Sequence, residues 1–220
     1  MGTIKVSVLE QDGAELDVPT EMDLLGALDY VGAANGVGTP NLLGWNDIVA
    51  DINIKGSGTN SPSWTLFRNG LYAYSFSANT MQECWLSFHF RHDYALNTAI
   101  FPHIHFAVNT TSTGVVRFGI EYSIAKGYDQ GVPSTFGATQ TVYIEYNISS
   151  NSQYKHLIAE VITGITDANL EVDSVMLCRV FRDAANAADT HPSPVFILNC
   201  DVHYQVDRTS TKNRNPDFYV

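Results

Sequence analysis

Charge is what this sequence has least of, and basic charge above all. Charged residues make up 16% of the 220, where an ordinary soluble domain carries roughly a quarter. Lys and Arg number 12 against 23 Asp and Glu, for a formal net charge of −11. A nucleic-acid footprint needs a basic surface, so the net field argues against DNA or RNA as a partner. Cysteine is scarce too: Cys84, Cys178 and Cys200 are far apart, odd in number and without a C-x-x-C pair. That favours buried, reduced thiols over a disulfide or a zinc site. No apolar run reaches the ~18 residues of a membrane span. The start, MGTIKVSVLEQDG, has neither the basic nor the apolar region of a signal peptide, so the expected place of synthesis is a reducing cytosol. Enzyme signatures are missing as well, with no G-x-S-x-G elbow, no P-loop and no G-x-G-x-x-G after a strand.

What the chain does have is apolar and aromatic residues, 45% and 11% of the total, arranged with period 2. From Trp45 onward, alternating runs follow one another, bounded by Gly, Asn, Ser and Pro. Ile48, Ala50, Ile52 and Ile54 open the series. Trp64 to Phe67 and Leu71 to Phe76 read as a hairpin around Arg68-Asn69-Gly70, since Asn-Gly favours the tight hairpin turn. Inward positions are then expected at Cys84, Leu86, Phe88 and Phe90; at Val116, Phe118, Ile120, Tyr122 and Ile124; and at Val142, Ile144, Tyr146 and Ile148. Leu157, Ala159 and Val161, then Val175, Leu177 and Phe181, then Phe196, Leu198, Cys200, Val202 and Tyr204 complete about nine strands. The fold class expected is all-β, an antiparallel two-sheet sandwich of jelly-roll type. Residues 183–189, DAANAAD, would add one helical turn before His191-Pro192 stops it.

Residues 1–44 differ. A short strand (Ile4, Val6, Val8), a turn at Gln11-Asp12-Gly13 and a short helix capped by Thr20 with Asp23 precede a Gly- and Asn-rich stretch. This reads as an extended N-terminal arm, too thin in apolar residues to fold alone. The division expected is therefore an arm over 1–44, a sandwich body over 45–206 and a polar C-terminal tail over 207–220, the tail needing a partner to cover it.

The sharpest chemical feature is FPHIHF, residues 101–106. On a strand His103 and His105 project from one face, as paired metal ligands must. His89 and His92 precede them, and His203 lies on the polar face of the last strand with Asn199 and Asp201. A cupin-like metal-dependent enzyme would add a carboxylate a few residues after the H-x-H pair, yet the next one here is Glu121. The competing reading is a polar sheet face in which imidazoles link strands or meet a partner subunit, with Pro102 at an edge or entry position because it cannot donate to the ladder. On that reading no metal and no cofactor is expected, and Trp45, Trp64, His92, Tyr94, Pro102, His103 and His105 are structural or interface residues. Exposed tyrosines such as Tyr72, Tyr74 and Tyr143 offer a further alternative, a carbohydrate-binding module that stacks sugar rings. Asp47 with Asp51 reads as a solvated acidic pair.

Several of these blocks occur together in a known family. Trp45-Asn46-Asp47-Ile48, Pro62-Ser63-Trp64 with Phe67, Gly70 to Phe76, Phe88-His89-Phe90-Arg91-His92-Asp93-Tyr94, Phe101 to Phe106 and Val116 to Tyr122 resemble tailed-bacteriophage virion structural proteins. Residues 45–124 carry the likeness, with Phe101 and Phe106 standing where Tyr and Trp are usual. The resemblance implies a non-enzymatic virion protein, with a capsid decoration or cement protein as the first choice and a neck, tail or fibre-base component as the alternative. With it go the expectations of a homo-oligomer such as a trimer, of residues 1–44 gripping the major capsid protein or another virion protein, and of location in the virion after synthesis in the host cytoplasm; charge and the lack of an apolar span add that neither nucleic acid nor membrane is a partner.

Overall fold

A computed structural model describes residues 43–54, 60–128 and 135–219. The strand, helix and linker expected within residues 1–42 lie outside them. Ten strands follow in chain order: β1 (Gly44–Ala50), β2 (Ser63–Arg68), β3 (Leu71–Phe76), β4 (Gln82–His89), β5 (Phe101–Ala107), β6 (Gly114–Ala125), β7 (Gln140–Ile148), β8 (Leu157–Glu160), β9 (Val175–Arg182) and β10 (Val195–Val206). All pairings between them are antiparallel. One sheet runs β2-β3-β10-β5-β8 with β1 also on β10, and the other runs β4-β9-β6-β7. The two sheets close on one core, so the body is the all-β, jelly-roll type sandwich that the alternation predicts.

β10 organises the larger sheet. One side pairs with β5 from Phe196 to His203; on the other, β3 pairs with Val195–Ile197 and β1 with Cys200–Val206. The Asn-Gly hairpin forms as expected, with Asn69 and Gly70 both at positive φ (47° and 86°), the backbone this turn requires. Inward positions of β4, β6, β7 and β8 follow the expected parity, and Phe88, Phe106, Phe118, Ile104, Val202 and Tyr204 are fully buried. Each such side chain contributes roughly 1.5–3 kcal/mol of burial. The three cysteines are free and buried in this core; burial pushes the Cys84 thiol up to about 12.

Two strands depart from the expected parity. In β9 the inward residues are Met176, Cys178 and Val180, while Leu177 is exposed and Phe181 packs on the outer face. Apolar residues on both faces make the run almost continuous, so alternation alone gave no phase. In β10 a bulge between Ile197 and Asn199 shifts the register. Val195 and Ile197 point to the core, Phe196 is buried on the other face and Leu198 is exposed; one extra residue flips the pattern.

Three further expectations are corrected. β5 is an interior strand between β10 and β8, so Pro102 is not at an edge but, as the second residue of β5, at the strand's entry. It sits where the β8 ladder stops: its carbonyl accepts from Val161 N at 2.9 Å, and its missing N–H ends that pairing. Residues 183–189 form two turns, Asn186 N to Asp183 O and Asp189 N to Asn186 O, with no helix. The tail packs on its own chain: Phe218 is buried and meets His92 edge-on at 5.3 Å, and the Tyr219 hydroxyl accepts from Val172 N at 3.0 Å. Aromatic residues at its end supply the cover that its polar middle lacks.

The 183–194 loop is held by Arg182, which is fully buried and points inward in the row of Phe118. Beside it His191 is buried with neither ring nitrogen hydrogen-bonded. Desolvation lowers its pKa, and the Arg182 cation lowers it further; the nearby Asp189 carboxylate and the Thr113 backbone oppose this and lose. With the folded pKa below the unfolded one, the unfolded chain takes up the proton first. Stability present above about pH 6.5 is then lost as pH falls toward the folded-state pKa. Melting followed from pH 7.5 to 5.0 is expected to fall more steeply in the native chain than in His191→Leu; parallel curves would contradict this.

Candidate functional site

The outer face of the larger sheet carries the histidines. Register places them in rows: Val49, Asp201, His103 and Glu160 lie side by side across β1, β10, β5 and β8, and Asp47, His203 and Phe101 form the next row. Period-2 alternation puts Phe101, His103 and His105 of β5 and Asn199, Asp201 and His203 of β10 on this one face. Four strands therefore contribute to one polar cluster.

His103 is 2% exposed. Its Nδ1 faces the Phe101 carbonyl at 3.3 Å; a carbonyl only accepts, so that nitrogen carries the proton and Nε2 holds a lone pair. Nε2 looks toward Asp201 Oδ2 at 3.8 Å. His105 Nδ1 is bonded to His156 Nε2 at 2.6 Å. Its Nε2 lies 3.2 Å from the same Asp201 oxygen and is shut off from solvent. Asp201 Oδ1 accepts from Asn199 Nδ2 at 2.8 Å. Desolvation lowers the pKa of both His103 and His105, outweighing the pull of Asp201. His203 stacks on His103 with ring centres 4.1 Å apart, and each of its nitrogens faces a carboxylate: Nε2 to Asp47 at 3.0 Å and Nδ1 to Glu160 at 3.1 Å.

Beside this cluster a cleft of about 430 Å³ is lined by Trp45, Phe101, Glu160, Ile162 and His203. Trp45 and Phe101 meet edge-on at 5.5 Å. Trp45 is 56% exposed and Ile162 85%, so the cleft joins bare apolar walls to a carboxylate and an imidazole.

The remaining residues singled out from sequence lie elsewhere. His89 and His92 share Asp173 Oδ1, at 3.2 and 3.3 Å, near the docked tail, where His92 Nδ1 also meets Thr211 Oγ1. Neither joins His103 and His105. Tyr94 is buried and donates to the Thr98 carbonyl at 2.6 Å, fixing the loop before β5. Trp64 stacks with Tyr72 and meets Tyr74 edge-on on the β2–β3 hairpin. Tyr143 is covered by the Arg117 guanidinium at 4.0 Å, which occupies one ring face a sugar would need. Asp47 pairs with His203, whereas Asp51 lies outside β1. Sequence reasoning missed Glu160, His156 and Ile162. It also looked for a carboxylate along the strand from His105, and the structure supplies Asp201 from across the ladder.

No family model and no curated protein matches the chain. Among solved structures, the chain is similar to a non-crystalline cellulose specific carbohydrate-binding module, CBM28, at 10% identity and a TM-score of 0.26, covering 70% of this chain and 84% of that one. It is likewise similar to TmCBM27, a carbohydrate-binding module that recognises mannan, at 13% identity and a TM-score of 0.27, covering 73% and 88%. Likeness at this level carries no statement about ligand or activity.

Proposed function

We propose that this chain is a non-catalytic component of a tailed-phage particle, a β-sandwich that acts by contact and assembles with copies of itself. The blocks that carry the family resemblance fall in β1 to β6 and the loop before β5. The observation that carries the contact reading is the β2–β3 hairpin. β2 is an edge strand, with no neighbour beyond it among the described residues. Trp64 (61% exposed), Leu66, Leu71 (67%) and Tyr72 are bare there. A hydrophobic sheet edge is an association hazard unless something covers it, and a neighbouring copy of the chain in a closed homo-oligomer would cover it.

The native chain is expected to have an oligomeric mass by light scattering, with a trimer the first expectation. A Trp64→Glu, Leu71→Glu variant is expected to run as a folded monomer. A monomeric native chain at tens of micromolar, or an unchanged oligomer in the variant, would count against this contact. Deleting residues 1–44 is expected to leave a folded body that fails to join particles, and retained incorporation would remove the arm's role. Decoration of the head is the placement this reading puts first, ahead of the neck, tail or fibre base.

A second reading rests on the Trp45 cleft, whose aromatic and apolar walls beside Glu160 and His203 suit a sugar ring stacked and hydrogen-bonded at once. Trp45→Ala is expected to weaken glycan binding at least tenfold on an array while leaving the oligomer intact. An array negative for the native chain would end the carbohydrate reading without touching the assembly reading.

A further inference from the structure

We infer that His103, His105 and Asp201 form a binding site for a divalent first-row transition-metal ion of the zinc class. The site is built from side chains of β5 and β10 within one chain, so it stands apart from the assembly reading. One donor atom from each of the three residues lies within 4.8 Å of the other two. The Nε2 atoms of His105 and His103 stand 3.2 and 3.8 Å from Asp201 Oδ2. Two donors about 2.1 Å from a tetrahedral ion are about 3.4 Å apart, and the observed separations bracket that value.

The far side of each residue is already occupied, as it is in metal sites where outer partners fix ligand orientation. His103 Nδ1 donates to the Phe101 carbonyl, His105 Nδ1 is bonded to His156, and Asn199 holds Asp201 Oδ1. What is left over points inward from all three. The His103 Nε2 lone pair faces a carboxylate oxygen; two acceptors turned toward one another repel unless a cation lies between them. His105 Nε2 is buried and lies 3.2 Å from the same oxygen. Two imidazoles and one carboxylate suit zinc, iron or manganese, and the absence of thiolate excludes a soft-metal site.

A second triple, Asp47, His103 and His203, also lies within 4.8 Å. There His203 already has a carboxylate at each nitrogen, and both His203 and Asp47 are more exposed than the residues of the first triple. They form a rim on the solvent side of it. The third candidate group, His89, His92 and Asp173, shares one carboxylate oxygen between two histidines at the surface, and His92 is already engaged by Phe218 and Thr211 of the tail.

The test is zinc binding by the full-length chain, stripped with chelator and titrated with zinc chloride by calorimetry, with bound metal counted by mass spectrometry after desalting. One ion per chain is expected, with a dissociation constant in the micromolar range or below. Asp201→Asn keeps the shape and the Asn199 contact, and His105→Gln keeps much of the volume; each is expected to weaken binding at least tenfold and to lose the retained ion. Zinc is expected to raise the melting temperature of the native chain and not that of the two variants, and circular dichroism checks that both remain folded. Native-level binding in folded Asp201→Asn, or no retained ion in the native chain, overturns the site. Loss of binding in His89→Ala with His105→Gln unaffected would move the ion to the Asp173 group and overturn it equally.

Discussion

Arg182→Met is expected to destabilise the fold by about 3–5 kcal/mol, the range for removing one partner of a buried ion pair. All five guanidinium N–H groups are used. Nε and Nη2 donate to the two oxygens of Asp189 at 2.9 and 2.7 Å, Nη2 also to the His191 carbonyl at 2.6 Å, and Nη1 to the carbonyls of Ser193 at 2.8 Å and Phe76 at 3.4 Å. The two side chains are 0% and 1% exposed. Methionine fills most of the volume but strands the Asp189 carboxylate and three carbonyls away from water. With total stability on the order of 5–15 kcal/mol, the loss is a large share, read as a fall of roughly 10 °C or more in melting temperature. Arg182→Lys keeps the charge but not the fork and is expected to fall between. Adding Asp189→Leu to Arg182→Met removes the stranded carboxylate, so the double variant is expected to recover part of the loss. A single variant within 1 kcal/mol of the native chain would show that the loop relaxes to let water in.

The same residue illustrates what the sequence conceals. Asp189 sits seven residues after Arg182, in a run that reads as a helical turn, and nothing in DAANAAD says that one carboxylate folds back into the core. Strand positions were legible because apolar alternation reports one buried face directly. It failed where both faces are covered, as at Leu177 and Phe181, and where the β10 bulge inserts an extra residue before Asn199. The site was half legible for a similar reason. H-x-H on a strand fixes that two imidazoles share a face, and N-x-D-x-H at 199–203 fixes the same for Asn199, Asp201 and His203. Which face meets which depends on the pairing of β5 with β10, some hundred residues apart in the chain, and local spacing holds no record of it. The Glu121 measure of distance was therefore the wrong ruler for a cross-strand site. Glu160 and His156 were invisible for the same cause: β8 is short, and only its pairing with β5 gives Glu160, and His156 just before the strand, a place beside the β5 histidines.

Gly119→Ala is expected to cost about 1–3 kcal/mol, the usual penalty for overpacking, although it adds a single methyl group in a strand where Ala outranks Gly in propensity. Gly119 lies directly opposite Phe181 across the β6–β9 ladder. A Cβ there would stand 2.2 Å from Phe181 Cζ and under 3 Å from both Cε atoms, so the ring must leave. Its exits are guarded: the Tyr143 ring meets it edge-on at 6.2 Å, and the Arg179 guanidinium lies 4.5 Å over its face. Arg179 is itself held by Glu83 and Glu121, so moving the ring also disturbs that ion network. Phe181→Ala alone loses a buried ring, but with the ring gone the Gly119→Ala penalty disappears. The double variant is expected to match Phe181→Ala in denaturant unfolding, a coupling of the full single-site cost; simple additivity would mean that the ring had room to shift. All of this lies on the outer face of the four-stranded sheet, across the core from the histidines. Gly119→Ala is therefore expected to lower stability while leaving zinc affinity unchanged in the folded protein, which separates loss of fold from loss of site.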